Sequence, residues 1–241
     1  MPVNTEVANS MARTFIILVF TGICQSYAPT TTAMMDFRSS PESQLDFSLL
    51  VQQNSVSLKD NENTLETDVL GFGFQVFDIP RDLPIQIGFG VGYAFVDQQT
   101  IPGLNNANMG GLYFTLLART TLFSTPSLSS ETIFTYDYLT TEKNSESQNS
   151  RLRWNHFTAE ANLNYWLTPY LSIKFGAVYG RLDAKLSGSG NSNVSLTLDT
   201  DEHVAAFAGI NYHVADQQKV AITIQQGYFK RLIVQFQRTF Y

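Results

Sequence analysis

From Pro84 to Asp97 large apolar and small side chains alternate without a break. Ile85, Ile87, Phe89, Val91, Tyr93 and Phe95 fill one register; Gln86, Gly88, Gly90, Gly92, Ala94 and Val96 fill the other. A period of two sends the two sets to opposite faces of a strand. The run is about as long as the 9–11 residues of a tilted strand that crosses a bilayer. Glycines weaken a strand unless something approaches closely on their side, so the small face predicts a crowded interior.

The pattern recurs. Leu45, Phe47, Leu49 and Val51 mark an earlier strand, and Leu70, Phe72, Phe74 and Val76 another. Later segments carry Leu112, Phe114, Leu116, Ala118, Thr120 and Leu122; then Phe134, Tyr136 and Tyr138; then Phe157, Ala159, Ala161, Leu163 and Tyr165. They are followed by Leu171, Ile173, Phe175, Ala177 and Tyr179, by Val204, Ala206, Ala208, Ile210 and Tyr212, by Val220, Ile222 and Ile224, and by Leu232, Val234, Phe236 and Phe240. About ten strands are expected, with eight or twelve as alternatives.

Pro2, Pro29, Pro41, Pro80, Pro84, Pro102, Pro126 and Pro169 all fall outside these segments, as residues that cannot donate to a ladder should. Short connections at Asp78–Pro84, Thr125–Ser130, Thr168–Tyr170 and Ala215–Gln218 alternate with longer ones starting at Lys59, Gln98, Glu142 and Ser187. In the last of these, Val194, Leu196 and Leu198 are expected to extend a hairpin above the membrane.

The face opposite the bulky one decides the orientation. It is Gly, Ala, Val and isolated polar residues, too small and too uncharged for a solvated surface. The bulky face therefore meets lipid. Tyr93, Tyr136, Tyr138, Tyr165 and Tyr179 stand where an aromatic girdle belongs. The fold class is all-β: a transmembrane antiparallel up-and-down barrel over 44–241.

Composition narrows the function classes. The net charge is −6, which speaks against a nucleic-acid partner. The single cysteine, Cys24, lies in an N-terminal apolar stretch, Phe15–Cys24. That stretch has the length of a signal-peptide core, and Ser26-Tyr27-Ala28 is a small-x-small cleavage site, so 1–28 reads as a signal peptide with Met11 a possible start. Residues 29–43 read as a short periplasmic lead. With no other thiol, a Cys-ligated metal or Cys nucleophile is not expected, nor is any cofactor.

With these residues in hand, the chain resembles the small outer-membrane β-barrel proteins of Gram-negative bacteria, a group that includes opacity and OmpA-like barrels. The last strand, with Phe236, Phe240 and the terminal Tyr241, is similar to the family's closing segment, although Arg238 interrupts its register. The resemblance implies outer-membrane lipid and the barrel-assembly machinery as partners, with Phe236, Phe240 and Tyr241 as the assembly signal. It also implies a cell-surface role in which the loops meet an extracellular ligand.

Within the lumen, Arg119, Asp137, Glu160 and Lys174 come at similar heights on neighbouring strands. They are expected to form a lateral structural network that plugs so small a barrel. A narrow small-solute channel is the alternative. A second alternative is an omptin-like hydrolase, for which Asp199, Asp201, Glu202 and His203 are the only rim cluster; a calcium site there lacks the loop pattern such sites use. His156 falls on the same face as Glu160, where a satisfied lumen histidine competes with an acid–base pair. No phosphate-loop, serine-nucleophile or zinc motif is present, and the favoured reading is non-enzymatic.

Overall fold

In the computed structural model the chain forms β1 (Ser43–Lys59), β2 (Thr64–Pro80), β3 (Ile85–Gln98), β4 (Met109–Ser124), β5 (Leu128–Asn144) and β6 (Gln148–Thr168). These are followed by β7 (Leu171–Gly190), β8 (Val194–Asp199), β9 (Val204–Ala215), β10 (Gln218–Gly227) and β11 (Phe229–Phe240). The structure describes residues 43–60, 64–80, 85–98, 108–144, 148–190, 194–200, 202–215 and 217–240. The expected signal peptide, the lead up to residue 42, Asp201 and Tyr241 lie outside them.

Every pairing is antiparallel, and β1 pairs β11 from Leu45↔Phe240 to Val56↔Phe229, so the sheet closes on itself. The ring holds ten strands: β1 to β7, then β9, β10 and β11. Closure leaves no edge, which is what a sheet needs to cross hydrocarbon. The expected belt faces outward: Ile87 is 66% exposed, Leu116 61% and Ile224 60%. An apolar belt running around the whole ring far exceeds the patches a soluble monomer leaves to water. The belt therefore faces lipid.

The strands are longer than a crossing requires. β1 to β7 run to 14–21 residues, so their ends opposite the short turns stand clear of the belt. There the apolar residues switch faces while the in–out alternation of the strand continues. On β1 the outward Leu45, Phe47, Leu49 and Val51 give way to inward Val56 and Leu58, with Gln53, Ser55 and Ser57 outside. On β7 the outward series ending at Tyr179 gives way to inward Leu182, Ala184 and Leu186, with Arg181, Asp183 and Lys185 outside. The same barrel wall is inside-out in the membrane and right-side-out above it.

The upper part is also narrower. β7 leaves β9 after Tyr179 and pairs β8 across Asp183↔Asp199 to Gly188↔Val194; β8 then meets β1 at Lys59↔Asp199. What the sequence presented as a loop from Ser187 is thus the tip of β7, a short connection and β8. Strands β1 to β8 form a collar of eight above a ring of ten. Eight strands enclose a space that side chains fill.

The small register of the opening segment has a partner. The ring of inward Tyr113, on β4, lies across β3 at Gly92, where any Cβ would collide with that ring and with the Phe72 carbonyl oxygen. Tyr228 fills the same role over Gly180. Gly92→Ala should lower stability by about 1–3 kcal/mol, the range for overpacking. Adding Tyr113→Ala should restore only part of it, because the carbonyl remains. Urea titration read by heat-modifiable gel migration measures both.

Candidate functional site

The lumen has three levels. The uppermost is mainly apolar, with Thr67, Gln98 and Thr141 buried among its side chains. Leu58, Leu152, Leu182, Leu186 and Leu198 have no exposed surface, and Val56, Leu65, Val69, Val96, Met109, Leu139 and Trp154 pack with them. Together they form an apolar core, the cap, in the outer half of the barrel, of the kind found in soluble proteins.

Beneath it lies a buried polar cluster whose members come from opposite walls. Asp137 on β5 accepts a hydrogen bond from Thr115 Oγ1 at 2.6 Å, lies 3.7 Å from His156 Nδ1 and lies 3.8 Å from Arg231 Nη2. Arg231, on β11, also donates from Nε to Asn54 Oδ1 at 3.0 Å. His156 Nε2 shares a hydrogen bond of 2.9 Å with Tyr228 Oη, and its ring stacks on Phe229 with centroids 4.8 Å apart. Five steps around the ring of ten separate β5 from β11, so the Asp137–Arg231 pair crosses the full width of the lumen. The tip of the β10–β11 hairpin makes this possible by turning Tyr228 and Phe229 inward, where both are buried.

The lowest level, near the short turns, holds a cavity of about 280 Å³. Asp46 is the most heavily used carboxylate of this level. It takes Arg119 Nη2 at 3.1 Å, Gln237 Nε2 at 2.7 Å and Thr239 Oγ1 at 2.5 Å, while Arg119 Nε donates to Gln86 at 2.7 Å. Lys174 pairs with Glu160 at 2.6 Å, and Glu160 also accepts from Asn162. Lys219 and Glu131 line the same cavity.

The four residues expected as one lateral network therefore fall into three groups. Lys174 and Glu160 meet each other. Asp137 belongs to the cluster above them, and Arg119 turns to Asp46 on β1. His156 pairs with Asp137 and Tyr228, not with Glu160. Asp46, Tyr228 and Arg231 went unnoticed in the sequence. The inward register placed Asp46 and Arg231, and an unbroken lumen charge signals a partner across the barrel; nothing local identifies which.

At the rim, Asp199 and Glu202 are exposed, Asp201 is outside the described residues, and His203 Nδ1 sits 3.1 Å from the Gly180 carbonyl oxygen. Among the described residues no group of His, Cys, Asp and Glu is arranged to hold a metal ion. At the closing strand Phe236 and Phe240 face outward. Phe240 meets Phe47 edge-on at 5.1 Å, and the Arg238 guanidinium lies over the Phe240 ring at 4.9 Å.

No protein-family model matches the chain, and no curated protein does. Among solved structures it is similar to the translocator domain of the autotransporter NalP from Neisseria meningitidis, with a TM-score of 0.50 and 10% identity over 98% of this chain and 97% of that one. It is also similar to the outer membrane protease OmpT of Escherichia coli (TM-score 0.47, 10% identity, 83% and 97% covered). A third is the outer membrane protein OprG of Pseudomonas aeruginosa (TM-score 0.46, 12% identity, 83% and 96% covered). The likeness is one of fold: that of the outer-membrane β-barrels. With its lipid-facing belt, this fold places the protein in an outer membrane.

Proposed function

We propose that this barrel is a closed surface protein whose working part is the collar, an anchor that presents charged strands and loops to molecules outside the cell. The apolar cap carries the reading: fully buried leucines packed in the outer half of the lumen favour a barrel without a water path. The collar's outer wall also has two faces. On β1 to β3 it carries Glu66, Asp68 and Asp97, with Ser55 and Ser57 donating to Asp68 and Glu66. On β6 and β7 it carries Arg153 directly beside Lys185 in register, while Arg181 below them is paired with Asp183. Like charges held side by side disfavour the fold and favour an anionic partner.

Two measurements test the reading. In planar bilayers the purified protein should show no steady conductance. Cells carrying it should attach to sulfate-coated beads, and Arg153→Glu with Lys185→Glu should reduce that attachment several-fold. A stable open channel, or attachment indifferent to the charge reversal, would replace this reading with another.

A further inference from the structure

The lower lumen is a cavity with a cap above it and the short-turn rim below. Its fixed charges are nearly all accounted for. Arg119 is taken by Asp46, Lys174 by Glu160 and Arg231 by Asp137. Two lining charges are left: Lys219 on β10 and Glu131 on β5. Among the described residues neither has an ion pair or a hydrogen-bond partner for its charged group. Each feels the other's charge across the space they share, but no direct contact joins them.

The surroundings of Lys219 suit an incoming group. Lys219 sits between His213 and Gln237 in register, and Gln237 is already committed to Asp46. The His213 ring is held against Trp166, which also lines the cavity. Around the wall stand further neutral donors and acceptors, including Gln75, Asn164, Asn211 and Gln235. A cation and an anion left unpaired across a partly dehydrated space are costly unless something bridges them. A volume of about 280 Å³ is at the small end for ligand sites, too small for an oligosaccharide and adequate for a single small solute.

We infer that the lower lumen binds a small zwitterion of the free amino-acid class, entering from the periplasmic side. Lys219 Nζ donates to the solute's carboxylate, and the Glu131 carboxylate accepts from its ammonium. The site is separate from the collar and does not depend on what the collar binds.

The test is calorimetric titration of the full chain, folded in detergent micelles, with glycine, β-alanine and 4-aminobutanoate as a length series. Acetate and methylammonium, which carry one charge each, are the comparison. At least one zwitterion should bind saturably, and the singly charged probes should bind about tenfold more weakly or not at all. Lys219→Met and Glu131→Gln should each weaken the zwitterion about tenfold, with heat-modifiable migration showing that each variant is folded. The inference fails if no zwitterion binds, if acetate binds as well as the zwitterion, or if folded Lys219→Met and Glu131→Gln bind like the parent. The comparison among probes needs no variant, so a folding defect in either substitution does not rescue the idea. Collar attachment and conductance are independent readouts, so this site and the surface role stand or fall separately.

Discussion

Asp46→Ala should lower the stability of the folded barrel by about 3–5 kcal/mol, the cost of stranding one partner of a largely buried ion pair. Asp46 has only 3% of its surface exposed and receives three donors, from Arg119 on β4 and from Gln237 and Thr239 on β11. It stands on β1, the strand that closes the ring against β11. Removing its carboxylate leaves the Arg119 guanidinium over the Phe77 ring with Gln86 as its remaining hydrogen-bond partner. Asp46→Asn keeps an acceptor oxygen for one donor and should lose about half as much. The decisive variant is Asp46→Ala combined with Arg119→Met. Once the stranded charge is gone, most of the loss should return, because the pair's own net contribution is small beside the penalty for breaking it. Urea midpoints read by heat-modifiable migration give the cycle. Strictly additive losses would mean that Asp46 works only as the acceptor for Gln237 and Thr239.

That pair also marks how far the chain could be read unaided. Alternation gave the face and height of each residue, and turn and loop composition gave the breaks, with Pro80 nevertheless falling inside β2 as its last residue. A ring of ten with its belt outward follows from Leu45 to Phe240 by those two rules. A strand's own sequence does not say who stands opposite across the lumen. Lys174 and Glu160 lie on adjacent strands, β7 and β6, and their meeting was accessible from local order. Local order pairs Arg119 with Asp137 one strand away, whereas the curvature of the wall brings Asp46, three strands away on β1, within its reach.

The collar was legible in principle. Leu65 and Val69 are inward, while the series from Leu70 is outward, a shift of one position that moves the apolar set from the inner face to the outer. Leu152 and Trp154 are likewise inward below Phe157 in the numbering. Such a slip reads as noise when each strand is matched to a single apolar face. It becomes a signal when it recurs at the same end of several strands: below it the wall meets lipid, above it water. The narrowing to eight strands is less accessible, since Val194, Leu196 and Leu198 suit a free hairpin as well as a wall segment.

The cap and the belt rest on different interactions, and Leu182→Asp should separate them. Leu182 lies just above the belt on β7, opposite His156 in register, and is completely buried among the leucines of the cap. Truncation to alanine alone should cost the cap about 2–5 kcal/mol. Aspartate adds a carboxylate that an apolar core will not accept without water. The ladder of the ring below, from β1↔β11 around to β9↔β10, does not use that side chain. The belt should therefore persist, shown by retained heat-modifiable migration, while water enters the outer half. In planar bilayers Leu182→Asp should then conduct where the parent is silent, and Leu182→Ala should give brief, infrequent openings between the two. A folded Leu182→Asp barrel that stays silent would move the seal downward, to the Asp137–Arg231 crossing and the Tyr228–Phe229 tip. The corresponding variant there, Arg231→Ala, would be the one to open it.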